Sequence, residues 1–234
     1  MSKAKNNAAI AALEMVQDGM TLGLGSGSTA EIFIELLGSQ VRQGLDVKGV
    51  PTSAQTATCA KEHGVPLMEP DKVENIHMSI DGADEVDENF QMIKGGGACL
   101  LREKIIADAS EEMVVIVDDS KLVTTLGKFA LPVEVDPFAM ALTAECIYNA
   151  LMQSGCVEAT TILRQARRSK KPLITDGGHY ILDCACKSIP DPHVTAAMLA
   201  SIPGVMEHGL FVNLATTVIV GEKNQARVME IVRE

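Results

Sequence analysis

Through about residue 125 the apolar positions alternate between helical and strand spacing. A helical stretch over residues 4–18 precedes a short apolar strand, Met20 to Leu24, and a glycine turn that opens a helix through Thr29 to Leu37. A strand at Val47 to Val50, a helix at Ala54 to His63, a strand near Ile76 to Ile80, a helix at Ala98 to Ala109 and a strand at Met113 to Val117 follow. Strands separated by helices predict an α/β fold: a mostly parallel, doubly wound sheet with helices on both faces. Its connections are expected to be right-handed.

After Leu131 the pattern changes. Pro132 to Val135 reads as an edge strand, Ala139 to Met152 as a helix, and Ala159 to Arg164 and Leu173 to Cys186 as strands, the last turning at Asp176-Gly177-Gly178, a hairpin signal. A helix over Pro192 to Ile202 ends before Pro203-Gly204. The apolar stretches Gly209 to Leu214 and Thr216 to Val220 are expected to rejoin the main sheet. Residues 1–128 and 205–234 are therefore assigned to an α/β domain carrying the ligand chemistry, and 129–204 to a smaller inserted α+β domain that is a candidate for subunit contacts.

Composition narrows the function. The chain has 234 residues, 47% of them hydrophobic, with no Trp and only two Tyr and five Phe, so the core is aliphatic. A formal charge of −11 and the lack of a basic stripe argue against nucleic-acid partners. No apolar run approaches the roughly 20 residues of a membrane span, and the N-terminus has no signal-peptide pattern. The expectation is a soluble, cytoplasmic protein without a membrane partner. Its six cysteines form no CxxC pair or Cys/His array and read as small buried hydrophobes, so no disulfide and no zinc is assigned.

In a parallel sheet the loops leaving the carboxyl ends of the strands gather on one rim, where open α/β folds bind ligands. Four such loops are polar: GLGSGST (Gly23 to Thr29), VPTS (Val50 to Ser53), DGADEVD (Asp81 to Asp87) and DDSK (Asp118 to Lys121). The first brings backbone N–H groups and a helix N-terminus to an anion, with hydroxyl donors from Ser26, Ser28 and Thr29, and suits phosphate. A dinucleotide fingerprint fails because Ser28 stands at its third glycine and Asp46 precedes the second strand, and a Walker A loop lacks its Gly-Lys-Ser/Thr. The acidic run does not match an EF-hand. It admits a solvated turn, a magnesium site, or a grip by Asp81 and Asp84 on sugar hydroxyls, since carboxylates only accept hydrogen bonds.

KGGGACLLREK (Lys94 to Lys104) lies between the third and fourth strands and opens a helix. Three glycines in a row carry a large chain entropy and suit close backbone approach to a ligand. Their N–H groups beside a Lys form an anion or oxyanion pocket. On the helix that follows, Ala98, Leu101, Ile105 and Ala109 form the expected core stripe, which leaves Glu103 outside it, facing the rim or water.

Together these segments resemble type A ribose-5-phosphate isomerases over nearly the whole chain: GxGSGST, VPTS, DGADEVD, KGGGACLLREKI, DDSKLV, LPVEV, TDGGHYILD and IPGVMEHGLF. Ser26 replaces the family's usual Thr, which keeps the hydroxyl, and Phe129-Ala130-Leu131-Pro132 lacks the first Pro of the common FPLP. The resemblance implies interconversion of ribose 5-phosphate and ribulose 5-phosphate, in the non-oxidative pentose phosphate pathway, with no metal or organic cofactor. It implies Glu103 as the base that moves a proton between C2 and C1 through an enediolate. Asp81 and Asp84, with Gly82 and Ala83 between them, would hold hydroxyls and assist ring opening. Lys94 and the N–H groups of Gly95, Gly96 and Gly97 would stabilise the enediolate oxygen, and Ser26, Gly27, Ser28, Thr29, Lys121 and Lys5 would hold the phosphate. It also implies a homodimer or homotetramer.

Two alternatives stand beside this one. A sugar-phosphate deaminase or lactonase is expected to use a His near the base, yet none of the five His lies in the glycine, DGAD or KGGG loops. A catalytically silent sugar-phosphate sensor would not need Asp81, Asp84, Lys94 and Glu103 together, and no basic DNA-reading segment is left over.

Overall fold

The computed structural model describes residues 2–167 and 169–231. Among these residues the elements begin α1 (Lys3–Leu13), β1 (Thr21–Leu24), α2 (Ser28–Val41), β2 (Lys48–Pro51), α3 (Ala54–Glu62), β3 (Ile76–Asp81), β4 (Glu85–Val86), β5 (Met92–Ile93), α4 (Leu100–Asp108) and β6 (Ser110–Asp118). They continue β7 (Leu131–Val135), α5 (Met140–Gln153), β8 (Thr160–Leu163), β9 (Tyr180–Ala185), α6 (Pro192–Ala200), β10 (Val205–His208), β11 (Leu210–Phe211), β12 (Thr217–Gly221) and β13 (Ala226–Glu230).

The chain divides into two compact units. The first runs through Ala83 and adds Arg102–Lys121 and the residues from Leu214 on; the second comprises Asp84–Leu101 and Leu122–Asn213. These boundaries differ from the expected 1–128, 129–204 and 205–234. Residues 84–101 and 205–213 belong with the smaller unit because β4, β5 and β11 pair with one another. Met1, Arg168 and 232–234 of those expected spans lie outside the described residues.

The first unit is built on a six-stranded sheet ordered β13-β12-β6-β3-β1-β2, parallel except for the antiparallel edge strand β13, which the hydrophobic pattern did not announce. Strand side chains alternate between faces. Leu22 and Leu24 of β1 and Met78 and Ile80 of β3 pack with Phe33 and Leu37 of α2 and Ala8 and Ala12 of α1. Gly23 and Ser79 point the other way, where a Cβ on Gly23 would lie 2.5 Å from Ile106 of α4 and 2.8 Å from Ser79. The small residues at these two positions let α4 lie close over the sheet. From β1 the chain steps outward to β2 and then returns to β3 on the other side of β1. That reversal is the topological switch point at which sheets of this kind bind ligands.

The second unit holds two antiparallel sheets, β10-β7-β9-β8 and β11-β5-β4. Leu131, Val133 and Val135 of β7 and Leu182 and Cys184 of β9 pack on Ile147 and Leu151 of α5 and Leu199 of α6. Three expectations are corrected here. Strand β7 is interior, paired with β10 and β9, and all five of its residues are buried, so Pro132 does not mark an edge. Of the late apolar stretches only Thr217–Gly221 joins the main sheet, while Leu210–Phe211 pairs with β5. The turn at Asp176-Gly177 forms, with Gly178 N–H donating to Thr175 C=O, but the segment before it is not a strand. There the side chains of Thr175 and His179 are engaged instead by the buried Glu134 carboxylate.

Candidate active site

In the first unit the glycine turn sits at the switch point between β1 and β3. Gly25 N–H donates to the Ile80 carbonyl (2.9 Å). The lack of a side chain on Gly25 lets the buried Asp81 carboxylate lie directly over the turn. Asp81 Oδ1 accepts from the N–H groups of Ser26 (3.1 Å) and Gly82 (2.7 Å), which fixes the carboxylate. Gly27, at φ 97°, is the N-cap of α2 and offers no side chain to its first turn. The N–H groups of Ser28, Thr29 and Ala30 and the positive helix end are thus arranged for an anion. Lys5 of α1 reaches the same turn and donates to Ser28 Oγ (2.8 Å).

Ser26 has a different environment from its neighbours. Its Oγ is hydrogen-bonded to Thr52 Oγ1 (2.9 Å), Ser53 Oγ (3.0 Å) and Thr56 Oγ1 (2.9 Å). Thr52 and Thr56 in turn donate to the carbonyls of Leu24 and Gly25, and Ser53 Oγ caps α3 by accepting Thr56 N–H. This hydroxyl knot ties VPTS to the glycine turn. Thr52 and Thr56 were not among the expected site residues, although the spacing of Ser53 and Thr56 at a helix start is a capping signal. Lys121 closes a short 3-10 turn after β6 and is half-buried.

Glu103 requires a correction. The expected stripe of Ala98, Leu101, Ile105 and Ala109 is not the buried face of α4: Ile105 is 57% exposed and Ala98 precedes the helix. The buried residues are Leu100, Glu103, Ile106 and Ala107, with Glu103 only 5% exposed. The carboxylate therefore lies on the packed face, one turn before the Ile106 that meets Gly23.

In the second unit Asp84 and Lys94 are brought opposite each other by strand register. Glu85 pairs with Ile93 in the β4–β5 ladder, so the residues flanking that pair are neighbours. Asp84 N–H donates to Ile93 C=O (2.8 Å) and Lys94 N–H to Gly209 C=O (2.9 Å). The Lys94 side chain is 3% exposed, with its ammonium 5.4 Å from the Phe211 ring centre, a cation–π arrangement. Asp84 Oδ2 accepts Gly96 N–H (2.8 Å), while Gly95 adopts φ 101°. Arg164, just past β8, donates to the Gly95 and Gly96 carbonyls and pairs with Asp183. Neither Arg164 nor Asp183 was an expected site residue.

The remaining acids of DGADEVD are structural. Glu85 accepts the N–H groups of Gly127 and Phe129, and Asp87 Oδ1 those of Asn89 (2.9 Å) and Gln91 (2.8 Å). Burial raises the Asp87 pKa, outweighing those two N–H donors. Among the described residues no group of three or more His, Cys, Asp or Glu is placed to hold a metal ion, and no helix is long and apolar enough to cross a membrane. Burial also holds the Cys184 thiol well above its ordinary range.

A doubly wound, mostly parallel sheet with a glycine turn and a helix N-terminus at its switch point defines the class: an α/β protein with backbone N–H groups gathered where such sheets bind ligands. The particular family follows from comparison with known proteins. Residues 48–225 match the model of ribose 5-phosphate isomerase A (phosphoriboisomerase A). The chain is 62% identical to the ribose-5-phosphate isomerase A of Maricaulis maris over 227 residues, 97% of each chain. The structure of ribose 5-phosphate isomerase A from Methanocaldococcus jannaschii superposes with a TM-score of 0.90 at 36% identity, covering 97% of this chain and 98% of that one. A D-ribose-5-phosphate isomerase in complex with phospho-erythronic acid gives a TM-score of 0.90 at 40% identity, with the same coverage. The chain belongs to the ribose 5-phosphate isomerase A family.

Proposed function

We propose that the protein interconverts D-ribose 5-phosphate and D-ribulose 5-phosphate by proton transfer through an enediolate, with Glu103 as base. The observation that carries the reading is the burial of Glu103 on the packed face of α4, shortly after a three-glycine segment that follows a buried lysine. An aldose becomes a ketose when a base removes the C2 proton and the C1 carbonyl oxygen takes up the negative charge; a proton then passes from the C2 hydroxyl to the C1 oxygen, and the base returns its proton to C1, leaving a carbonyl at C2. The oxygen that gains charge needs donors, and Lys94 with the N–H groups of Gly95 and Gly97 suits that task, while the Gly96 N–H holds Asp84. Asp81 and Asp84 suit the sugar hydroxyls and the proton transfer that opens the furanose ring. Lys5, Lys121 and the first turn of α2 suit the phosphate.

The complex of a family member with phospho-erythronic acid supports a phosphorylated sugar acid as a mimic of the reacting species. On this reading the enzyme acts in the non-oxidative pentose phosphate pathway, in the cytoplasm, without metal or organic cofactor. Exposed apolar residues of the second unit, among them Phe138, Leu142 and Ile174, support self-association to a dimer or tetramer. The test is incubation with ribose 5-phosphate while ketose formation is followed, with and without EDTA. Ketose at equal rates in both arms is expected. No ketose would overturn the activity, and loss with EDTA would overturn the metal-free chemistry.

A further inference from the structure

A loop of three glycines has no side chains with which to hold its own shape, yet the proposed reaction needs Gly97 N–H aimed at the substrate oxygen and Gly96 N–H at Asp84. What holds it lies within the second unit. The Arg164 backbone is pinned on both sides, its N–H donating to Ile181 C=O (2.8 Å) and its C=O accepting from Leu173 N–H (2.9 Å). Its guanidinium forks onto Asp183, with Nε donating to Oδ2 (2.9 Å) and Nη2 to Oδ1. Asp183 stands on β9 opposite Ile162 of β8, so the fork is carried by a regular strand pair. This leaves Nη1 to donate to Gly95 C=O (2.9 Å) and Gly96 C=O (3.2 Å).

A trans peptide directs its C=O and its N–H to opposite sides. The Gly95–Gly96 peptide is therefore held at both ends: Arg164 takes its oxygen, and Asp84 Oδ2 takes its N–H at 2.8 Å. The contact with Asp84 is close, since a Cβ on Gly96 would lie 2.7 Å from Asp84 Oδ1. In the next peptide Arg164 takes the Gly96 oxygen, which sets the direction of Gly97 N–H. One guanidinium thus orients two peptide planes, and through one of them a carboxylate.

We propose that Arg164, fixed by Asp183, is a positioning residue that sets the geometry of the Gly95–Gly97 amides and of Asp84 for the isomerisation. Lysine cannot substitute, because one ammonium lacks the planar fork that spans a carboxylate and two carbonyls. The kinetic part of this inference rests on the proposed function; the geometric part does not.

The test compares wild type with Arg164→Lys and Asp183→Asn by three measurements. Backbone hydrogen exchange over residues 94–98, in ligand-free protein, is expected to speed up at least tenfold in Arg164→Lys. With ribose 5-phosphate, kcat is expected to fall roughly tenfold to a hundredfold, as displacement of about 1 Å at a reacting centre does, while KM stays within about twofold. The affinity for phospho-erythronic acid is expected to fall with kcat, and that for inorganic phosphate to stay unchanged. Asp183→Asn, which keeps the shape of the fork, is expected to show the same pattern more weakly. Unchanged exchange in Arg164→Lys would overturn the geometric claim. An unchanged kcat, or a loss shared equally with KM and phosphate affinity, would overturn the positioning role. Inactive wild-type protein would overturn the proposed function alone, leaving the exchange result to judge the geometry.

Discussion

The carboxylate of Asp81 occupies the space a side chain on Gly25 would need: a Cβ there would fall 2.3 Å from both its Cγ and its Oδ1. The two residues sit at the ends of neighbouring parallel strands. The approach brings a buried acid to the backbone N–H groups of the phosphate-suited turn. Gly25→Ala is expected to force Asp81 aside and lower kcat/KM by about a hundredfold or more. The overpacking should cost about 1–3 kcal/mol of stability. Steady-state kinetics with a denaturant titration checks both, and near-normal activity would show that the position of Asp81 is unimportant.

Replacing Glu103 by Gln keeps the shape of the side chain on the packed face of α4 and removes its basicity. Exchange of the C2 proton of ribose 5-phosphate with solvent is expected to fall by about 10²- to 10⁴-fold, the range typical of a general base. Proton NMR in deuterated water follows this exchange directly. Binding of phospho-erythronic acid should persist, and exchange at the normal rate would assign the base elsewhere.

The legibility of this site in the sequence depended on how local each signal is. The main sheet was readable because its strands are short apolar runs between helices, and the glycine turn because its chemistry lies within seven consecutive residues. Strands β4 and β5 were not readable, since two-residue strands leave no period to detect. The face of α4 is ambiguous in sequence because the helix offers two apolar stripes, and the small residues Gly23 and Ser79, far away in sequence, decide which is buried. Arg164 and Gly95 are 69 positions apart, and nothing in either segment announces their pairing.

Lys5 and Lys121 are assigned to the phosphate on different grounds. Lys5 touches the glycine turn through Ser28, and Lys121 follows the β6 end of the same sheet. A group that grips substrate and transition state alike changes KM and leaves kcat intact. Lys5→Ala and Lys121→Ala are each expected to raise KM for ribose 5-phosphate about tenfold, close to one charge-assisted hydrogen bond. Both variants should also weaken inhibition by inorganic phosphate. A loss in kcat with unchanged KM would remove the residue from the phosphate site.

Asp87 makes a pH-dependent prediction that is separate from catalysis. Its pKa is raised above 3.8 by burial, with Glu88 adding to the shift and the two N–H donors and His193 opposing it. The folded chain therefore holds this proton more tightly than the unfolded chain does. The resulting stabilisation is complete below the unfolded pKa and is lost as pH rises through the folded value. At neutral pH the ionised carboxylate opposes folding relative to a neutral group of the same shape. Asp87→Asn retains a side-chain oxygen to accept from Asn89 and Gln91 without the charge. The variant is expected to melt at or above the wild-type temperature at pH 7, and to lose that advantage as pH is lowered below 3.8. Thermal melts of both proteins from pH 3 to 8 check this; an advantage that grows on acidification would reverse the sign of the Asp87 contribution.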